Sequence, residues 1–173
     1  MLVDYLLRQP NRMFPPILVV VEEPWVGKPD APEWVEGEDG EERAGRSSLR
    51  FSSLDSEGRV GLADLHGVSI FVIDGSHRWM GISGLMELIA KGHLQLRKKD
   101  GASTGPVINM DELAEEHHID PASIPAMEHE TMGIELIPAV MKGETREEAR
   151  RRIRSVFVHV NKSAEPPSVV TRK

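Results

Sequence analysis

Apolar residues along this chain gather into short runs separated by polar, proline-rich and glycine-rich stretches. The first strong run is Ile17-Leu18-Val19-Val20-Val21, entered through Pro15-Pro16. It is β-branched, of strand length and without alternation, which predicts a central strand buried on both faces. Val68 to Ile73 reads as a second strand and runs straight into Asp74-Gly75-Ser76. A helix is predicted next, over about residues 77–90, with Trp79, Ile82, Leu85, Met86 and Ile89 spaced as one apolar stripe.

Weaker patterns fill the rest. Residues 4–9 read as a short helix stopped by Pro10. Leu49 to Leu54 alternates as a strand does, and Arg59 to Leu65 does so less clearly. Residues 91–105 are polar and interrupted by glycine, and read as loop. Asn109 is placed to cap a helix over residues 111–117, whose acidic start suits the helix dipole. Residues 133–141 read as a strand, with Pro138 requiring an edge or a bulge. Thr145 and Glu148 have the spacing of a capping box for a helix through Val160. Its buried stripe would be Ala149, Ile153, Val156, Phe157 and Val160, with Arg150, Arg151, Arg152 and Arg154 largely off it.

Residues 24–48 lack apolar periodicity and are rich in proline, glycine and acid. They read as a long acidic insertion, a mobile solvated loop, with a functional lid as the sharper alternative. Trp25 and Trp34 inside it either anchor a partner or tether the loop to its own domain.

Composition changes this picture in three ways. The 173 residues suit one domain, 1–173, with a core that needs no metal or disulfide. The absence of cysteine excludes thiolate catalysis, disulfides and cysteine-based zinc sites, and makes the cytoplasm the expected compartment. No run approaches the length of a membrane span, and the N-terminus lacks the pattern of a signal peptide, so no membrane partner is expected. The net charge of −7 is uneven: residues 22–42 hold nine of the 28 acidic residues and one base, Lys28, so the remainder is close to neutral. Charge therefore neither supports nor refutes DNA as a partner.

A strand, a glycine and a helix opening at His77-Arg78 make a recipe for holding an anion. The first turn of a helix leaves N–H groups unpaired and carries the positive end of its dipole. Gly75 allows close approach of a ligand, and Arg78 adds a fork for phosphate or carboxylate. His77 can donate a hydrogen bond or move a proton, while Asp74 can orient a neighbour or assist a metal ion. The plainer reading makes Asp74 and Ser76 helix caps and Arg78 a surface ion pair. His117, His118 and His129 lack metal-ligand spacing, so no metal site is read from them. The only local basic patch is the arginine helix, whose Arg150, Arg151 and Arg154 are candidate DNA contacts, partly offset by Glu144, Glu147 and Glu148.

Ile73-Asp74-Gly75-Ser76-His77-Arg78-Trp79 resembles the D-G-Q-H-R signature of the DGQHR domain, with Ser76 at the glutamine position. The same turn is similar to the G-x-H-R or G-x-R-R turn of ParB N-terminal domains and to the G-C-H-R turn of sulfiredoxins. Three further stretches resemble the DndB-like DNA sulfur modification family in order along the chain: Arg12 to Ile17, Glu135 to Val140, and Phe157 to Pro166. The resemblance implies an α+β fold of the ParB/sulfiredoxin-like class, a mixed sheet with flanking helices and the strand–DGSHR–helix turn at its centre. It implies that Asp74, His77 and Arg78 line a nucleotide- or phosphate-binding pocket, with Gly75 and Ser76 in the turn that shapes it and Asn161 and Lys162 at its rim; a nucleotide with Mg2+ is the candidate cofactor. Asn161 reads equally as a helix C-cap. Ser76 stands where sulfiredoxins carry their reactive cysteine, and no base is evident beside it, so sulfiredoxin activity is not expected. Family members are typically longer, which implies a fragment or a minimal version truncated at the C-terminus.

The function this implies is DNA-associated regulation beside a phosphorothioation (sulfur modification) system. The alternative is a nucleotide-dependent phosphohydrolase or kinase with Asp74, His77 and Glu135 as candidate catalytic groups. A third reading is a non-catalytic remnant that only binds partners.

Overall fold

The computed structural model describes residues 15–98 and 102–163 of an α+β chain built from small sheets and helices. The helix expected at residues 4–9, the Arg12–Phe14 part of the entry segment and the last residues of the closing motif lie outside the described residues. The chain forms two compact units. One holds residues 15–17 and Gly75–Gly133; the other holds Leu18–Asp74 and residues 134–163.

The second unit is organised by a three-stranded sheet in the order β6–β1–β9, with β1 at Ile17–Glu22, β6 at Ser69–Asp74 and β9 at Ile134–Pro138. The unalternated apolar run is thus the central strand, as its pattern requires, and Val19 and Val21 are buried along with Val20. β1 and β6 run antiparallel, with Val20 opposite Phe71. Pro138 ends the edge strand, where a missing N–H costs no ladder bond. Ser48 locks the arrangement: its hydroxyl donates to Val21 O at 2.9 Å and accepts from Val140 N at 3.1 Å.

Residues 24–48 are built into this unit rather than lying as a solvated loop. They form a hairpin of β2 (Trp34–Glu36) and β3 (Glu42–Ala44). Trp25, Ala31, Trp34 and Ala44 pack with Val140 and Ala149 as a buried cluster. The two indole rings meet edge to face, 5.5 Å between centroids, so of the two readings of these tryptophans the tether is the one observed. The acidic residues are answered by arginines toward the end of the same stretch. Arg46 grips Glu23 through two bonds of 2.6 and 2.9 Å and reaches Glu33, while Arg43 pairs with Asp39 and Glu41. Arg46 holds the Glu23 carboxyl below its usual pKa.

A second hairpin joins β4 (Arg50–Ser53) to β5 (Gly61–Asp64), with Arg50 paired across to Asp64 at 3.0 Å. Arg146–Ser163 forms the long helix here called α3. Its start is a complete capping box: Thr145 N donates to Glu148 at 2.8 Å, and Glu148 N donates to the Thr145 hydroxyl at 3.2 Å.

The first unit contains α1 (Ser76–Lys91), a hairpin of β7 (His93–Arg97) and β8 (Ser103–Asn109), α2 (Met110–His117) and two single 3-10 turns at Pro121–Ser123 and Pro125–His129. Leu85, Ala114, Ile124 and Met127 form its core, flanked by Ile82, Met86 and Ile89. This unit departs from its sequence pattern at two places. Trp79 is not part of the buried stripe but is half exposed, while Leu88 is buried. The polar stretch 91–105 is mostly hairpin, because Leu94 finds Ile108 and Gln95 finds Val107 across the ladder. Asn109 stands at the α2 N-cap without a side-chain cap bond, so its position was legible and its capping role was not.

Candidate functional site

β6 ends at Asp74, and the chain turns at Gly75 with φ 85 and ψ 20 before α1 begins at Ser76. This left-handed geometry favours glycine. Space demands glycine as well: a Cβ on residue 75 would lie 2.7 Å from Nη2 and 2.8 Å from Nε of Arg78. The guanidinium is therefore folded against the turn, with Nη2 donating to Pro16 O at 3.4 Å. The first helical bond runs from Trp79 N to Gly75 O at 2.8 Å.

The N-cap residue, Gly75, has no side chain to cap with, and no acidic residue sits in the first turn. The residue at the N-cap position is Gly75 rather than Asp74 or Ser76. Helix geometry leaves the amides of residues 76–78 without intrahelical acceptors, at the positive end of a 16-residue helix. Ser76 and His77 are exposed beside them, and Arg78 is half-buried. An anion is what such a turn is chemically suited to hold.

The other sequence-derived candidates belong to the second unit. Glu135 is exposed on β9, and Asn161 and Lys162 are exposed on the last turns of α3, all in the second unit. Asn161 is not a C-cap, since α3 continues to Ser163; its amide donates to Phe157 O at 2.8 Å, one turn back. Among the described residues there is no group of acidic, histidine and cysteine side chains placed to hold a metal ion. No helix among them is long and apolar enough to cross a membrane.

The arginine helix is less uniform than its sequence suggests. Arg151 is paired with Glu147 at 2.9 Å. Arg152 is turned inward, bonded to Glu144 at 2.6 Å and to the carbonyls of Pro138 and Ala139. This pairing, together with the Met141 N–H, holds the Glu144 carboxyl below its usual pKa against the opposing effect of burial. Arg146 stacks over Trp34 at 3.9 Å. Arg150 and Arg154 instead line a cleft of about 730 Å3 on the second unit, which sequence reasoning missed. Its sequence signal was the i, i+4, i+8 spacing of Arg146, Arg150 and Arg154 beside Ala149, Ile153 and Phe157. None of residues 74–78 lines this cleft.

No family model matches the chain, and neither a curated protein nor a solved structure matches it.

Proposed function

We propose that residues 75–78 form a phosphate-binding turn and that the chain is a DNA-associated regulatory protein of the DndB-like kind, responsive to a nucleotide held at that turn. The observation that carries this reading is the glycine N-cap of α1 with the Arg78 guanidinium laid against Gly75. Backbone donors, a helix dipole and a forked cation then converge on one point of the chain. The exposed His77 imidazole supplies a further donor beside them. A ParB/sulfiredoxin-like fold belongs to the same proposal, supported by a β-branched central strand and a strand that feeds a glycine turn and a helix.

Thermal unfolding with ATP, GTP and CTP, each with and without Mg2+, tests the pocket in the wild type and in Arg78→Ala. A nucleotide bound only by the folded state, at a hundred times its Kd, adds about 2.7 kcal/mol and raises the Tm. The expected result is a shift with at least one nucleotide that disappears in Arg78→Ala. No shift with any of the three overturns the nucleotide reading. Release of inorganic phosphate during the titration replaces regulation with the phosphohydrolase alternative.

A further inference from the structure

Two neighbouring lines of side chains run along α3. Ala149, Ile153 and Phe157 form one, and Arg146, Arg150 and Arg154 form the other, each at four-residue spacing. Both contribute to the cleft of about 730 Å3, whose opposite wall is the sheet face carrying Val20, Phe71 and Ile73. That volume is in the range of small-molecule sites. Phe71 and Phe157, from the two walls, are 53% and 51% exposed. Aromatic side chains of this size ordinarily bury most of their surface, so an apolar body placed in the cleft gains contact on both sides.

The charges in the cleft are specific. Arg146 is committed to the fold through Trp34, the carbonyls of Val26 and Pro29, and Glu42 at 3.5 Å. Arg150 and Arg154, one turn apart, have neither an ion pair nor a hydrogen bond to another described residue, whereas Arg151 and Arg152 between them are both paired. Against these two cations the cleft holds one carboxylate, Glu22. An apolar trough with surplus positive charge at its rim is complementary to one class of molecule.

We propose that the cleft between α3 and the β1–β6 face binds a small amphipathic anion, an aliphatic or aromatic body with a single carboxylate or phosphate head, the head held by Arg150 and Arg154. The body lies between Phe71 and Phe157. The site shares no residue with the Gly75–Arg78 turn, so it stands or falls independently of the nucleotide reading. It also gives Arg150 and Arg154 a role other than contact with DNA phosphates.

The test uses 1-anilinonaphthalene-8-sulfonate, an amphipathic anion, and its uncharged relative N-phenyl-1-naphthylamine as fluorescent probes. The double variant Arg150→Gln/Arg154→Gln changes exposed positions and leaves the capping box and core untouched, so folding is checked by circular dichroism alone. Binding of the sulfonate is expected to weaken at least about tenfold in that variant, the effect of losing charge-assisted hydrogen bonds. Binding of the neutral probe is expected to stay within about twofold, the head contacts being irrelevant to it. In Phe157→Ser both probes weaken. Octanoate or octyl phosphate displaces the sulfonate at concentrations where 1-octanol does not, and whichever is stronger identifies the head. The proposal is overturned if the double variant binds the sulfonate as tightly as wild type, or if octanol competes as well as the anions. It is equally overturned if the double variant loses DNA affinity while probe binding is unchanged.

Discussion

Both ends of α1 are closed by glycine in the left-handed region, Gly75 at φ 85 and Gly92 at φ 72. The two differ in what surrounds them. A Cβ at residue 92 meets nothing within 4 Å, while at residue 75 it meets the Arg78 guanidinium at 2.7 Å. Replacing either by alanine forces a side chain into left-handed backbone, at a cost of about 1–2 kcal/mol. Alanine also stiffens the unfolded chain, which returns about 0.4–1 kcal/mol, so Gly92→Ala is expected to cost about 1 kcal/mol net. Gly75→Ala carries the same backbone cost and must also push the guanidinium off the turn. That sacrifices the Arg78–Pro16 hydrogen bond, worth about 1 kcal/mol net, for a total near 2 kcal/mol. Equilibrium urea unfolding followed by circular dichroism measures both variants. In an Arg78→Ala background the excess at residue 75 should vanish, leaving the two glycines equal. If Gly75→Ala and Gly92→Ala cost the same within about 0.3 kcal/mol, or if the excess survives without Arg78, the close approach does not shape this turn.

In the second unit, Ser48 is buried and Glu144 is partly buried, and each has a polar partner whose loss can be measured. Ser48→Ala removes the acceptor of the Val140 N–H, whereas Val21 O keeps its bond from Ala139 N at 2.8 Å. One lost bond and one orphaned buried donor should cost about 2 kcal/mol in urea unfolding, with Ser47→Ala, a more exposed neighbour, as the control; equal effects would refute the assignment. Glu144 and Glu23 both have folded pKa values below their unfolded ones, owing chiefly to Arg152 and Arg46. Their contribution is therefore complete above the ordinary carboxylate range and is lost as pH falls through the depressed folded values. Glu144→Gln should flatten the acid side of the stability–pH curve, and a curve of unchanged shape would show that the Arg152 pair contributes nothing to acid stability.

The strand–turn–helix at the candidate site was legible because each part is a local preference. A β-branched run favours strand, Gly75 alone tolerates the turn, and the next 16 residues carry helical spacing without proline. The capping box was legible for the same reason, being a reciprocal bond between residues three apart. What was not legible depends on partners distant in sequence. His93 to Arg97 looks like polar loop until Ser103 to Asn109 pairs with it. Residues 22–42 look like a charged tract because Arg43 and Arg46, which pair with its carboxylates, follow just after it.

From the amino-acid order alone came the central strand, the glycine turn into α1 and the start of α3, since these rest on interactions within about one turn or one strand. The tertiary structure alone decided that Trp25 and Trp34 are core and that Trp79 is half exposed. It also decided that five arginines on one helix have different fates: one stacked, two paired and two facing a cleft. Burial and charge pairing are properties of what a side chain meets, and for these residues the partner lies on another element.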